Sequence, residues 1–380
     1  MNSAHRPTAS DSREAQLLLA WYSHHARTMP WRVAPKDSLA GVFPDPYHVW
    51  LSEVMLQQTQ VSTVEAYWRR FVVQWPTVHD LAAAPQAEIM QAWAGLGYYS
   101  RARNLGKCAE LVSRERDGAF PQTAVELIKL PGIGAYTSAA IAAIAFGEPV
   151  AVVDGNVERV MSRLRAIATP LPELKKVVGE VLQPLVPASR PGDFAQALMD
   201  LGATICMPKN PACKRCPLES LCVAGRNNEA ELYPMRPARQ AKPLRRGAAY
   251  VLLDEHKRVL LVRRPDKGLL GGMSGVPTTS WTVRADGATG TIEAPVNTTW
   301  RMAGEISHEF THFRLALEVW VARDLPAKTG VSPTNAECWW AEAASLQGEA
   351  LPTVMKKVIA AAIPQAFKPI RQTNHGIKKA

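Results

Sequence analysis

Thr123 to Val160 reads TAVELIKLPGIGAYTSAAIAAIAFGEPVAVVDGNVERV, and this stretch decides the fold. Leu130-Pro131-Gly132-Ile133-Gly134 joins two helical segments, and Thr123 followed by Glu126 ahead of Leu127 and Ile128 has the form of a capping box opening the first. Gly132 and Gly134 let the backbone turn sharply and approach a ligand, while amides at the start of the next helix can bind a phosphate. Two helices and the hairpin between them would then grip a nucleic-acid backbone. Pro-Gly-x-Gly alone is also an ordinary interhelical turn, so the choice rests on the rest of the chain. Further on, Asp154-Gly155-Asn156-Val157-Glu158-Arg159 begins another helix, and Asp154 in isolation reads as its N-cap.

Working outward, the segment from Gln16 to Cys206 is almost wholly helical: Ala- and Leu-rich runs at 3.6-residue spacing, broken at Pro76, Pro85, Pro121 and Pro131. The expected organisation is a disordered N-terminus (1–15), an all-α domain (16–205), a cysteine loop (206–225) and a basic interdomain linker (226–246). A small α/β domain (247–365) and a basic tail (366–380) follow. The linker reading rests on Arg236, Arg239, Lys242, Arg245 and Arg246 among prolines with no acid between them. Beyond it the hydrophobic period changes to two: Ala248–Leu253 and Val259–Arg263 read as strands, and Phe313, Leu315, Leu317, Val319 and Val321 share one strand face.

The chain of 380 residues carries a formal charge of +10, which favours a polyanionic partner. No stretch has the length of uninterrupted apolar residues that a membrane span requires, so no membrane partner is expected. Met1 to Arg13 is polar and has neither an apolar signal core nor an Arg- and Ser-rich leader. The location expected is therefore the bacterial cytoplasm, at the nucleoid. Six cysteines are too few for a disulfide scaffold, and Cys206, Cys213, Cys216 and Cys222 crowd together with six, two and five residues between them. Four thiolates on one loop can wrap a tetrahedral ion or a cubane cluster, and the spacing leaves zinc and iron-sulphur both open.

Glu53 lies in Val49-Trp50-Leu51-Ser52-Glu53-Val54-Met55-Leu56, where desolvation would keep an acid protonated. An exposed face or a bridge to an Arg is an equal reading of Glu53 by itself. Paired with Asp154, however, one neutral acid and one ionised acid supply what cleavage of a glycosidic bond needs: a proton for the leaving group and a negative charge beside an oxocarbenium-like sugar. Gln57-Gln58-Thr59-Gln60 and Gly95-Leu96-Gly97-Tyr98-Tyr99 offer amides and aromatics that can replace an extruded base in the stack, or are polar helix ends and buried tyrosines.

Taken together, the segments 49–61, 95–99, 130–134 and 154–157 resemble the endonuclease III superfamily of helix-hairpin-helix proteins and, within it, the MutY-type adenine DNA glycosylases. The resemblance is close over residues 16–225 and looser over 245–365. It implies a [4Fe-4S] cluster on Cys206, Cys213, Cys216 and Cys222, and duplex DNA carrying adenine opposite 8-oxoguanine or guanine as the substrate. Glu53 would protonate adenine N7 and later help activate water. Asp154 would stabilise the sugar cation, directly or through a covalent glycosyl intermediate, with Asn156 and Tyr136 orienting the reacting groups. Gln58 and Tyr98 would invade the duplex as the base flips, Gln57 would lie beside them, and Gly132 and Gly134 would hold the backbone. Trp31, Arg32 and Gln196 would neighbour the base pocket. A monomer is expected, with downstream repair proteins as further partners.

The lyases of that superfamily have a lysine nucleophile where this chain has Tyr136, which cannot form a Schiff base, so base excision with little or no strand cleavage is expected. The C-terminal part resembles the MutT-like (Nudix) domain of these enzymes without its catalytic glutamate box. Phe310-Thr311-His312 stands where the family has Phe-Ser-His, the loop that reads the oxidised guanine, and Gly271–Pro277 departs from the usual Trp-Glu-Phe before the proline. The rival readings are a lyase-type glycosylase for oxidised pyrimidines, a non-enzymatic DNA-binding or electron-carrying module, and a Nudix hydrolase.

Overall fold

The computed structural model describes residues 11–235, 241–265, 268–326 and 337–367. The first ten residues, Arg236 and Arg239 of the expected linker, and the tail from 368 onward lie outside the described residues. The chain divides into two compact units, residues 1–92 with 101–239 and residues 93–100 with 240–380.

The first unit is helical: α1 (Arg13–His25), α2 (Pro35–Leu39), α3 (Pro46–Leu56), α4 (Val61–Gln74), α5 (Val78–Ala83), α6 (Gln86–Ala92), α7 (Ser100–Arg116), α8 (Ala124–Leu127), α9 (Ala135–Phe146), α10 (Gly155–Arg165), α11 (Leu174–Leu182), α12 (Pro191–Thr204) and the short α13 (Val223–Arg226). Two of these are apolar nearly all round. Along α9, Thr137 through Ala145 are all buried, and along α3 so are Tyr47 and Val49 through Met55, which is the pattern of a helix enclosed by others rather than laid on a surface. They pack on each other, and α12 packs on α9 and α10. Full burial of a Leu, Val or Met side chain contributes roughly 1.5–3 kcal/mol, so the apolar neighbours of Glu53 in α3 offset the cost of enclosing its carboxyl.

Local chemistry sets the boundaries. Asp45 caps α3 through a 2.7 Å bond from the Tyr47 amide, with Pro46 at the first helical position. Gly147, with φ +71°, ends α9 in the left-handed conformation. Gly202 on α12 lies where any Cβ would come within 2.6 Å of the Asn156 Cβ, so glycine there permits the close approach of α12 to α10.

Three expectations need correction. Helix α1 begins at Arg13, inside the stretch expected to be disordered, because Ser12 accepts the Ala15 amide at 3.2 Å and Ala15, Leu18, Leu19 and Tyr22 are buried. Thr123 precedes α8 but makes no capping bond. The Ala124 amide instead donates to Glu148 at 2.7 Å, and Glu126 turns outward to Lys129 at 2.8 Å. The expected linker is overrun by a strand, since Leu244 to Arg246 already pair with Arg314 to Ala316.

The second unit holds a mixed sheet of β1 (Leu244–Asp254), β2 (Val259–Arg263), β3 (Ser274–Gly275), β4 (Arg301–Glu309), β5 (Arg314–Leu325) and β6 (Cys338–Ala341). Its order is β3-β2-β1-β5-β4, with β6 on β2, and β1 runs parallel to β5. Phe313, Leu315, Leu317, Val319 and Val321 do share one face, under helix α14 (Thr353–Ala362). The opposite face, with Tyr250, Leu252 and Leu260, is covered by Val296, Trp300, Trp320 and Trp340. Strand β1 is therefore buried on both faces from Gly247's neighbour Ala248 to Asp254, as central parallel strands are. Among the described residues, no helix is long and apolar enough to cross a membrane.

Candidate functional site

Glu53 and Tyr136 meet because α3 and α9, the two enclosed helices, pack on each other and both line the same cleft. The Tyr136 hydroxyl donates to Glu53 Oε2 at 2.7 Å, and Glu53 is only 5% exposed. Burial pushes the Glu53 carboxyl up to about 7, and the negative charge of Asp154 adds to the rise; the Tyr136 hydrogen bond and the Arg32 charge oppose it. Burial beside Glu53 and Asp154 also holds the Tyr136 phenol well above its ordinary value. Tyr136 is thus a hydrogen-bond donor that stays protonated.

Asp154 occupies the N-cap of α10. Its Oδ1 accepts the Val157 amide at 2.7 Å, and its Oδ2 accepts the Asn156 side-chain amide at 2.9 Å. The capping role and the chemical one coexist, since negative charge at a helix N-terminus is stabilised by the peptide dipoles. Asn156 is held in turn by Arg159, which donates to its Oδ1 at 2.9 Å and to the carbonyls of Gly202 and Cys206 at 2.7 Å each.

One cleft of about 840 Å³ gathers Glu53, Asp154, Tyr136, Asn156, Trp31, Arg32, Gln57, Gln58, Gly132, Gly134 and Gln196. A cleft of that order is large enough to enclose a small organic ligand. Gly132 has φ +75° and sits where a Cβ would collide with Asn104, while Gly134 opens α9 with no side-chain cap, the kind of helix start that can accept an anion. Gln57 donates to Thr137 at 3.1 Å, and Gln58 adopts φ +57°, a strained conformation for a non-glycine residue.

Four expected residues lie outside this cleft and are counted with the other unit. Tyr98 is exposed with φ +46°. Phe310, Thr311 and His312 form the turn between β4 and β5, closed by the Phe310 amide on the Phe313 carbonyl at 2.9 Å. Phe310 is anchored, stacked on Phe313 at 4.7 Å and edge-on to His308 at 4.6 Å, which leaves Thr311 and His312 exposed at the tip.

Cys206, Cys213, Cys216 and Cys222 are unpaired as disulfides and line one cavity of about 120 Å³, walled by Val160, Leu164, Leu201 and Leu218. The Arg163 guanidinium lies 3.3 Å from the Cys206 sulfur and donates to the Met207 and Pro208 carbonyls, and the Gly225 amide donates to Cys222 at 3.3 Å. Burial and the neighbouring thiols push the Cys216 thiol up to about 12. Among the described residues, no three His, Cys, Asp or Glu side chains are grouped to hold a single metal ion.

Sequence reasoning passed over Arg27 and Asp200. Arg27 lines the cleft, and Asp200 is a fully buried acid that binds both Arg27 and Arg32. Its signal was an acid inside the apolar run Phe194-Ala195-Gln196-Ala197-Leu198-Met199-Asp200-Leu201, the same kind of signal that singled out Glu53.

Comparison with known proteins places these features in a family. Residues 51–184 match the model of the HhH-GPD superfamily base excision DNA repair protein, and residues 248–361 match a NUDIX domain. The chain is 37% identical to the adenine DNA glycosylase of Homo sapiens over 90% of its length and 72% of that protein's. It is 31% identical to the adenine DNA glycosylase of Buchnera aphidicola subsp. Baizongia pistaciae (strain Bp), covering 95% of it. Among solved structures, that of a thermostable thymine-DNA glycosylase matches 56% of the chain and 95% of its own length with TM-score 0.50 and 30% identity.

Proposed function

Since the chain belongs to the adenine DNA glycosylases of base excision repair, DNA N-glycosylases of the helix-hairpin-helix superfamily, we propose that it excises adenine mispaired with 8-oxoguanine, and with guanine, by acid-assisted departure of the base. One observation carries the mechanism: a carboxyl held protonated to about pH 7 and a capped carboxylate line the same cleft. Glu53 delivers its proton to N7 of the extruded adenine, so the base leaves neutral. Asp154 offers negative charge to the sugar as the glycosidic bond lengthens, and Asn156 fixes that carboxylate through its 2.9 Å bond. Tyr136 holds Glu53 Oε2 through its 2.7 Å hydrogen bond. After departure the Glu53 carboxylate accepts a proton from the incoming water.

Endonuclease III-like glycosylases generally carry an iron-sulphur cluster. Four thiols around a cavity far larger than one ion fit a cubane, so Cys206, Cys213, Cys216 and Cys222 are the proposed ligands of a [4Fe-4S] cluster. When bound it supplies cationic charge that ionises the thiols and ties the loop together; the chemical steps belong to the side chains of the cleft. Thr311 and His312, at the tip of the β4–β5 turn, are the proposed readers of the oxidised partner base, with Phe310 as their anchor.

The reaction stops at the abasic site. No amine stands at position 136, and a phenol held protonated is no nucleophile toward the sugar carbon. A duplex carrying adenine opposite 8-oxoguanine is therefore expected to lose its base with the strand intact until heat or alkali is applied. Both products are read from one denaturing gel with and without alkali. Spontaneous nicking as fast as base release would overturn the monofunctional reading.

A further inference from the structure

Between α1 and α2 the segment from Arg27 to Arg32 has no regular structure to hold it, yet it gives Arg27, Met29, Trp31 and Arg32 to the wall of the cleft. Within it the Arg32 amide closes a turn on the Met29 carbonyl at 3.0 Å, and one buried carboxylate ties both of its arginines to α12. Asp200 of α12 is 0% exposed; its Oδ1 accepts Arg27 Nε at 2.6 Å, and its Oδ2 accepts the Arg27 backbone amide at 3.0 Å and Arg32 Nη1 at 2.8 Å. Three donors thus converge on one side chain, one of them from the backbone, so the loop's path and the aim of both guanidiniums are set together. Each guanidinium has five N–H donors, and the bonds to Asp200 leave several on each for the cleft. Adenine presents ring-nitrogen acceptors to such donors.

We propose that Asp200 is a positioning residue for the adenine pocket, its carboxylate locking Arg27 and Arg32 so that their remaining donors meet the extruded base and the Arg32 charge stands at a fixed place beside Glu53. This rests on the adenine-excision reading above. The charges give it a signature that packing lacks. Arg27 and Arg32 with Asp200 leave one net positive charge in the wall; without the Asp200 charge they leave two. Around Glu53 stand Tyr136 from α9, Asp154 before α10 and Arg32. Around Arg32 and Asp200 stand Tyr22 of α1 and the Arg190–Asp193 pair of α12, which cancels itself. Surplus positive charge favours the Glu53 anion, so its proton is lost at lower pH.

The test is single-turnover adenine release as a function of pH. Asp200→Asn is expected to slow release by about 10²-fold at pH 7.5, the scale of loss for a reactant held about an ångström out of place. The midpoint of the falling alkaline limb should move to lower pH, while binding of undamaged duplex stays within about twofold. In an Arg32→Gln background the same substitution should cost less than in the unsubstituted chain, because the share carried by Arg32 is already lost and only the hold on Arg27 remains. Asp200→Glu keeps the charge and should show a slowed rate with the wild-type midpoint; it also carries the test if the asparagine variant does not fold. A wild-type rate and midpoint for both variants, or an equal loss at every pH and in both backgrounds, would overturn the proposal. Failure of the unsubstituted protein to release adenine would overturn the excision reading instead.

Discussion

Asp154→Asn is expected to bind duplex DNA as the unsubstituted protein does while releasing adenine at least about 10³-fold more slowly, the loss that follows when preorganised charge stabilisation is removed from a transition state. The substitution separates the two roles of this position. Asparagine is as good an N-cap as aspartate, so the bond to the Val157 amide and the start of α10 survive. The Asn156 side chain can rotate its amide to keep a partner. What disappears is the charge beside the sugar. Filter binding or anisotropy with an uncleaved duplex, alongside single-turnover release, checks both halves; turnover left intact would show that Asp154 is a cap and nothing more.

Glu53→Gln should slow release by about 10²- to 10⁴-fold, the range lost with a general acid. It should also raise stability at neutral and alkaline pH. The folded protein holds the Glu53 proton up to about pH 7, whereas an unfolded chain releases it near 4.5. Between those values the folded state binds more protons, so stability falls as pH rises through the window. The cost is on the order of 3 kcal/mol once both states are ionised. Glutamine has the same shape and no proton to lose, so Glu53→Gln escapes that cost, and its thermal midpoint should exceed that of the unsubstituted chain at pH 8 but not at pH 4. Unsubstituted protein should correspondingly release adenine at a rate that declines as pH rises through about 7. A variant both slower and less stable at pH 8 would mean that Glu53 serves the fold instead of the reaction.

Such opposed effects mark a place where sequence and fold disagree locally, and that disagreement made the site legible. An acid in the middle of Val49–Met55, a run whose side chains are all buried, adds nothing to the packing of that helix. Asp154 was visible as a cap because the cap is a local bond, three residues long. The glycines of the hairpin were readable for the same reason: a positive φ at Gly132 is a property of a few residues. The helical half and the strand face from Phe313 to Val321 followed from hydrophobic period alone.

What the sequence hid was set by distance or by competition. Asp200 gives the same signal as Glu53, but its meaning lies in Arg27, 173 residues away along the chain, and no local pattern states that pairing. Arg163 and Arg159 likewise look like the polar face of an amphipathic helix until the cysteine loop folds onto them. Thr123 and Glu126 satisfied the capping-box formula and still failed, because Glu126 found Lys129 and Arg116 on the surface while Glu148 reached the open amide. Strand β1 was expected to start later because Arg245 and Arg246 resemble linker residues; their backbone is nonetheless claimed by β5.

The cleft is proposed to remove adenine according to the base opposite. The most direct test is single-turnover release, by cluster-loaded protein, from three duplexes that differ only in the partner of one adenine: 8-oxoguanine, guanine or thymine. Fast release from the first, slower release from the second and none from the third is the predicted result. Equal rates from all three would leave Thr311 and His312 without a role in reading the partner, and no release from any would contradict the account of Glu53 and Asp154.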